Sequence, residues 1–243
     1  MLLTRFYVPG PLAGLATLRL PEGPSGHLAR VLRLDVGAAL TVFDGRGGEY
    51  DATITAIARQ GVSVALGAHH GVERESPLAI TLLQGISRGE RMDLIVQKTT
   101  ELGVGRIVPV VGERGMVKPG PHQRRRWQTI AEEAARQSGR ADVPEIGDGM
   151  ALASGLAQAA AAGGSRFLLW EGEHGPSLPR ALASRPRAVV LLVGPEGGFA
   201  VGEVALARAA GFASAGLGPR ILRSETAAIV AVALAQAAAG GLG

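Results

Sequence analysis

The sequence contains no cysteine, which excludes disulfides, thiol catalysis and cysteine-ligated metal at once. Lysine is nearly missing too: Lys98 and Lys118 are the only two, so almost all of the positive charge is arginine. Arginine binds phosphate and base edges better than lysine, and a net charge of +4 favours an acidic partner. Long apolar runs are also lacking. The start, Met1-Leu2-Leu3-Thr4-Arg5, has no apolar core of the signal-peptide kind. The most apolar helical stretch, Thr226 to Ala239, is too short to span a bilayer and is mostly alanine. The expectation is a cytoplasmic protein with no membrane partner. No G-x-x-x-x-G-K-[ST] phosphate loop occurs. The five histidines are scattered, and the adjacent His69-His70 cannot converge on one helix or strand face, so no metal site is expected.

What is present divides into two parts. Residues 1–70 carry short alternating runs with turn signals. Leu40-Thr41-Val42-Phe43 leads into Asp44-Gly45-Arg46-Gly47-Gly48, and Tyr50 to Ile57 leaves it, a hairpin pattern. Val62 to Leu66 is another strand, and His27 to Leu34 has the apolar spacing of a short helix. The whole reads as a small β-barrel. Residues 71–77 read as a linker. From Leu78 to the end, strands and helices alternate. The predicted strands are Ala79–Gln84, Arg106–Val111, Arg166–Trp170, Ala188–Val193 and Ala213–Leu217. The predicted helices are Arg91–Leu102, His122–Ser138, Ala151–Ala161, Val201–Ala210 and Glu225–Ala239. That order predicts an α/β domain, a parallel sheet with helices on both faces, Rossmann-like on physical grounds alone.

Two loops of the second part are the best candidates for a site. Leu191-Leu192-Val193 runs into Gly194-Pro195-Glu196-Gly197-Gly198-Phe199, and Leu217-Gly218-Pro219-Arg220-Ile221-Leu222-Arg223 runs into Ser224-Glu225-Thr226-Ala227. Each ends a buried strand in a Gly/Pro turn and precedes a helix, the place where open α/β sheets bind ligands. Neither suits a pyrophosphate, because Pro195 removes an amide donor and Glu196 repels negative charge. The pocket is built for a neutral or cationic ligand.

With these loops the chain resembles the RsmE family of the SPOUT class of RNA methyltransferases. Three further stretches match its pattern in the right order: His27 to Arg33, Arg91 to Gly103, and Glu133 to Arg140. The stretch from about Met150 to Arg187 matches little. The resemblance implies a PUA-like RNA-binding barrel, then a methyltransferase domain with a C-terminal trefoil knot. General topology rules disfavour knots, so the knot rests on the resemblance alone. It also implies a homodimer that uses S-adenosylmethionine to make 3-methyluridine in the 16S RNA of the small ribosomal subunit.

Transfer of the methyl group needs chiefly positioning of two reactants. Gly194, Pro195, Glu196, Gly197 and Gly198 would bring backbone against the cofactor. Leu217, Gly218, Ile221, Leu222 and Thr226 would hold its adenosine, with Leu169 and Trp170 completing the wall, although plain core packing explains the apolar members as well. Losing the N3 proton puts negative charge on the uracil oxygens, which a cation would stabilise. Arg223 is the candidate, its alternative being a salt bridge to Glu225 or Glu196. Glu196 could accept the proton, or hold Arg223 or the cofactor. For RNA the candidates are Arg5, Arg30, Arg33 and Arg46 in the first part and Arg136, Gln137 and Arg140 in the second, where cations also suit a helix C-terminus. Arg124-Arg125-Arg126 read first as a solvated surface, then as phosphate contacts. Two other classes compete: a catalytically silent RNA-binding adaptor and a nucleotide-dependent enzyme of Rossmann type.

Overall fold

A computed structural model describes residues 4–21, 23, 34–72, 74–113, 119–172 and 175–242. The chain divides into two compact units. The first comprises the residues up to Glu75 together with Ala135–Val143, and the second comprises the rest.

The first unit is a five-stranded sheet of β1 (Arg5–Tyr7), β2 (Thr17–Arg19), β3 (Ala39–Phe43), β4 (Glu49–Ala58) and β5 (Gly61–His70). The order is β1-β3-β4-β5-β2, with β1 parallel to β3 and every other pair antiparallel. Side chains alternate across a strand, so Leu40 and Val42, Ala52 and Ile54, and Val62 and Val64 share one buried face with Phe6, Leu12 and Leu20. The predicted hairpin is β3–β4. Asp44 opens its turn by accepting the Arg46 N–H at 3.1 Å and also takes the Leu12 N–H at 3.1 Å. Gly48 closes it at φ +73°, and a Cβ there would lie 2.4 Å from His69 Nε2. The helix expected over His27–Leu34 lies, but for Leu34, outside the described residues.

Polar side chains hold Ala135–Val143 in this unit. Arg5 is buried, stacks 3.6 Å over the Phe43 ring and pairs with Glu49 at 2.8 Å. Its guanidinium also donates to the Ala135 carbonyl and, at 2.7 Å, to the Arg140 carbonyl. Arg74 donates to Gly139 O at 2.8 Å, and Arg140 donates to Glu75 at 2.6 Å. The carbonyls that a helix end leaves without partners are thus taken by arginines.

The second unit is a seven-stranded, all-parallel sheet. Its strands are β6 (Ala79–Gly85), β7 (Arg106–Val111), β8 (Glu145–Ile146), β9 (Met150–Ala151), β10 (Ser165–Leu169), β11 (Ala188–Val193) and β12 (Ala213–Ser214). The helices are α1 (Glu90–Glu101), α2 (Pro121–Ser138, its residues from Ala135 counting in the first unit), α3 (Leu152–Ala162), α4 (Leu178–Ala181), α5 (Val201–Ala209) and α6 (Ser224–Ala239). Strand order is β12-β10-β11-β6-β7-β8, with β9 also on β7.

Both faces are covered. Ile80, Leu82, Ile107, Leu169, Val189 and Leu191 pack with Met92 and Ile95 of α1, Trp127 of α2 and Ala231 and Val232 of α6. The alternate residues Leu83, Val108, Leu168, Val190 and Leu192 pack with Leu156 of α3 and Val204 of α5. Burial on both faces explains why the strands read as unbroken apolar runs. Each fully buried Leu or Ile contributes roughly 1.5–3 kcal/mol.

The predicted strand Ala213–Leu217 ends early, at Ser214. Gly216 exchanges backbone hydrogen bonds with Pro176 and Leu178 instead, a long-range pairing that local pattern does not encode. Among the described residues no helix is long and apolar enough to cross a membrane.

Candidate active site

The chain runs from β6 outward through β7 to β8 and β9, then returns to the other side of β6 to lay down β10, β11 and β12. The order therefore reverses between β6 and β11, and loops at the carboxyl ends of such neighbouring strands diverge to leave a crevice. Register places Gln84 beside Val193, and Val193 beside Leu169. The loops after β6, β10 and β11 thus start level with one another.

Two adjoining cavities occupy this edge. The smaller encloses about 100 Å³ between Leu169, Trp170, the run Ala215 to Leu222, and Ala227. It is walled mainly by apolar side chains and loop backbone. The larger encloses about 280 Å³ and is lined by Arg91, Gly194, Pro195, Glu196, Gly198, Arg223 and Glu225, among others. Leu169, Glu171, Ile221, Leu222 and Ala227 border both. Of the predicted cofactor residues, Leu169, Trp170, Gly194, Pro195, Glu196, Gly198, Leu217, Gly218, Ile221 and Leu222 line one cavity or both. Gly197 and Thr226 line neither. Thr226 is exposed on the first turn of α6, and the next residue, Ala227, takes the cavity side, because successive helical residues point about 100° apart.

Glycine is favoured at two places, by close backbone approach at the first and by a left-handed backbone at the second. Gly85 ends β6 against the β11 loop, and a Cβ there would lie 2.4 Å from the backbone N of Pro195. Gly198 has φ +65°, and a Cβ there would lie 2.6 Å from Glu171 Oε1. A hydroxyl locks the loops to α6. Ser224 gives its one proton to the Gly194 carbonyl and accepts from Gln84 Nε2 at 3.0 Å and from Ser87 Oγ at 3.3 Å. The start of α6, with Arg223 before it and Glu225 after it, is fixed relative to β6 and β11.

The charged groups divide by partner. Glu196 accepts the Arg88 N–H at 2.9 Å and the Arg91 guanidinium at 3.0 Å. Burial pushes its pKa up, but those hydrogen bonds and the Arg91 charge outweigh it, and the carboxyl sits below its ordinary value. Glu196 therefore holds the loop after β6, and its cationic partner is Arg91, not Arg223. Among the described residues Arg223 forms no ion pair with Glu196 or Glu225, so its guanidinium stays available at the cavity wall. Sequence reasoning offers neither Arg91 nor Glu171 as a site residue and gives Glu225 only as a salt-bridge partner of Arg223. Arg91 and Glu225 fall inside stretches that carried the resemblance, whereas Glu171 gave no signal beyond following a strand.

The RNA candidates are rearranged. Arg5 and Arg140 are corrected: both are buried, one on Glu49 and backbone carbonyls, the other on Glu75, and neither presents its charge to solvent. Arg136 is half-buried and donates to the Arg5 carbonyl, while Gln137 and Arg46 are exposed. Arg30 and Arg33 lie outside the described residues. Of the arginine triplet, Arg124 donates to Ile146 O and pairs with Asp148, Arg126 pairs with Asp93, and Arg125 is exposed.

Comparison with known proteins places the chain in a family. The family model of an RNA methyltransferase domain matches residues 74–236, and that of an RNA methyltransferase PUA domain matches residues 25–66. The ribosomal RNA small subunit methyltransferase E of Synechocystis is 34% identical over 220 residues, 90% of this chain and 72% of that one. A Legionella pneumophila methyltransferase solved with bound SAM superposes with a TM-score of 0.89 at 36% identity, over 97% of each chain. The Neisseria gonorrhoeae ribosomal RNA small subunit methyltransferase E bound to S-adenosyl methionine gives 0.83 at 35%, over 96% of this chain and 97% of that one.

Proposed function

Because this chain belongs to the ribosomal RNA small subunit methyltransferase E family, we propose that it transfers a methyl group from S-adenosylmethionine to N3 of a uridine in small-subunit ribosomal RNA. The observation that carries the reading is the meeting of the β11 and β12 loops beside Leu169. It makes a backbone-walled apolar slot next to a chamber that holds an available arginine.

The residues suit this cofactor. Leu169, Trp170, Leu217 and Leu222 offer apolar walls for a neutral adenosine, with loop carbonyls and amides beside them. Glu171 and Glu196 give the chamber the negative character that a sulfonium and an ammonium prefer. When bound, S-adenosylmethionine supplies the methyl carbon on a sulfonium that departs as a neutral thioether. The chain's own work is to orient the base and stabilise its charge. Arg223 donates to a uracil oxygen as negative charge builds on it. Glu196, held below its ordinary pKa by Arg88 and Arg91, positions the loop after β6 rather than taking a proton.

The first unit would hold the RNA, with Arg30, Arg33, Arg136 and Gln137 as contacts. We further assign a homodimer through the outer stripe of α6, where Ile229, Val230 and Ala233 are only half-buried. The C-terminal segment would form the trefoil knot of the class, and the protein would act in the cytoplasm. Mass spectrometry of ribosomal RNA nucleosides tests the activity: a strain lacking the protein loses 3-methyluridine and regains it on complementation. Calorimetry tests the site, since an RNA-binding adaptor would show no heat with S-adenosylmethionine.

A further inference from the structure

One charged group at the cavity has no part in the reading above. Glu225 stands in the first turn of α6, only 9% exposed, and lines the larger cavity. Its Oε2 is buried and, among the described residues, has no hydrogen-bond partner. A carboxylate oxygen removed from water without a donor is costly unless a ligand supplies one. The other two carboxylates of the chamber do not share this state. Glu196 is engaged by Arg88 and Arg91, and Glu171 is exposed, where water competes for it.

We infer that Glu225 accepts the proton of uracil N3. The inference rests on the uridine reading given above. Uracil presents an acceptor–donor–acceptor edge: O4, N3–H and O2. Arg223 and Glu225 stand two residues apart at the start of α6 and line one cavity, and they supply the complement, a donor for an oxygen and an acceptor for the proton. The N3–H bond breaks as an O–H bond forms on the carboxylate. The electron pair stays on the ring, spread over N3 and the two oxygens, one of them held by Arg223. N3 is then nucleophilic toward the methyl group, and the carboxylic acid later returns its proton to solvent. Ser224 sets the geometry, since its hydrogen bonds to Gln84, Ser87 and Gly194 fix the turn that carries both residues.

The test is Glu225→Gln, which keeps the shape and removes the acceptor. S-adenosylmethionine affinity by calorimetry and affinity for small-subunit ribosomal RNA are expected to match the wild type. The kcat for methylation is expected to fall by at least about 100-fold. RNA transcribed with 5-fluorouridine, whose N3 proton is more acidic, is expected to restore the variant at least ten-fold more than it speeds the wild type. Near-normal kcat in the variant would overturn the inference. So would a loss that travels with weaker cofactor binding and gains nothing from 5-fluorouridine, which would make Glu225 a cofactor contact. If the wild type itself makes no 3-methyluridine, the uridine reading and this inference fall together. If it does and the variant is unaffected, this inference falls alone.

Discussion

Gly198→Val probes the cofactor pocket with a cost that can be divided into parts. Gly198 has φ +65°, in the left-handed region. A β-branched residue held there stores roughly 1–3 kcal/mol of strain. The added Cβ would also lie 2.6 Å from Glu171 Oε1. That contact is the cheaper part, because Glu171 is exposed and its side chain can swing away. The strain cannot be relieved without moving the loop that borders the larger cavity. If the loop shifts, S-adenosylmethionine affinity should fall about ten-fold or more, roughly 1.4 kcal/mol. Calorimetry measures this directly, with a thermal melt to confirm folding. Adding Glu171→Ala separates the parts: strain predicts no recovery in the double variant, contact predicts most of it. A folded Gly198→Val that binds the cofactor like the wild type would remove this loop from the pocket and the pocket assignment with it.

Arg223→Ala should bind cofactor normally and lose at least about 100-fold in methyl transfer, near 2.7 kcal/mol, in a single-turnover assay; near-normal turnover would give the uracil charge to another residue. Arg5→Ala should destabilise the protein by about 3 kcal/mol in urea titration, because Glu49 keeps a half-buried charge without its partner. Unchanged stability with weaker RNA binding would instead make Arg5 a surface contact. Arg30→Ala with Arg33→Ala should weaken RNA binding, flatten the log–log salt slope by about one per residue and leave cofactor affinity intact. Equal RNA affinity across a salt series would reject that role.

The sequence by itself determined most of the longer elements and the two loops. Unbroken apolar runs bounded by Gly and Pro marked β6, β7 and β11 to within a residue, and the alternation of strand and helix segments after Leu78 placed the five long helices. The Gly/Pro chemistry after β11 and β12 was visible because backbone that must bend or approach closely selects those residues locally. Tertiary structure decided the rest. Strand order is long-range pairing, and only that order brings Leu169 and Glu171 beside Gly198 and Leu222. The fate of each arginine was equally illegible. Arg5, Arg140 and Arg223 are one residue type, yet the first two end buried on carboxylates and carbonyls while the third stands at a cavity wall. A charge reads the same in sequence whether it meets water, a carboxylate or a ligand. Its partner is chosen by packing between residues far apart in the chain, and so is the burial of Glu225 Oε2, which among the described residues has no hydrogen-bond partner.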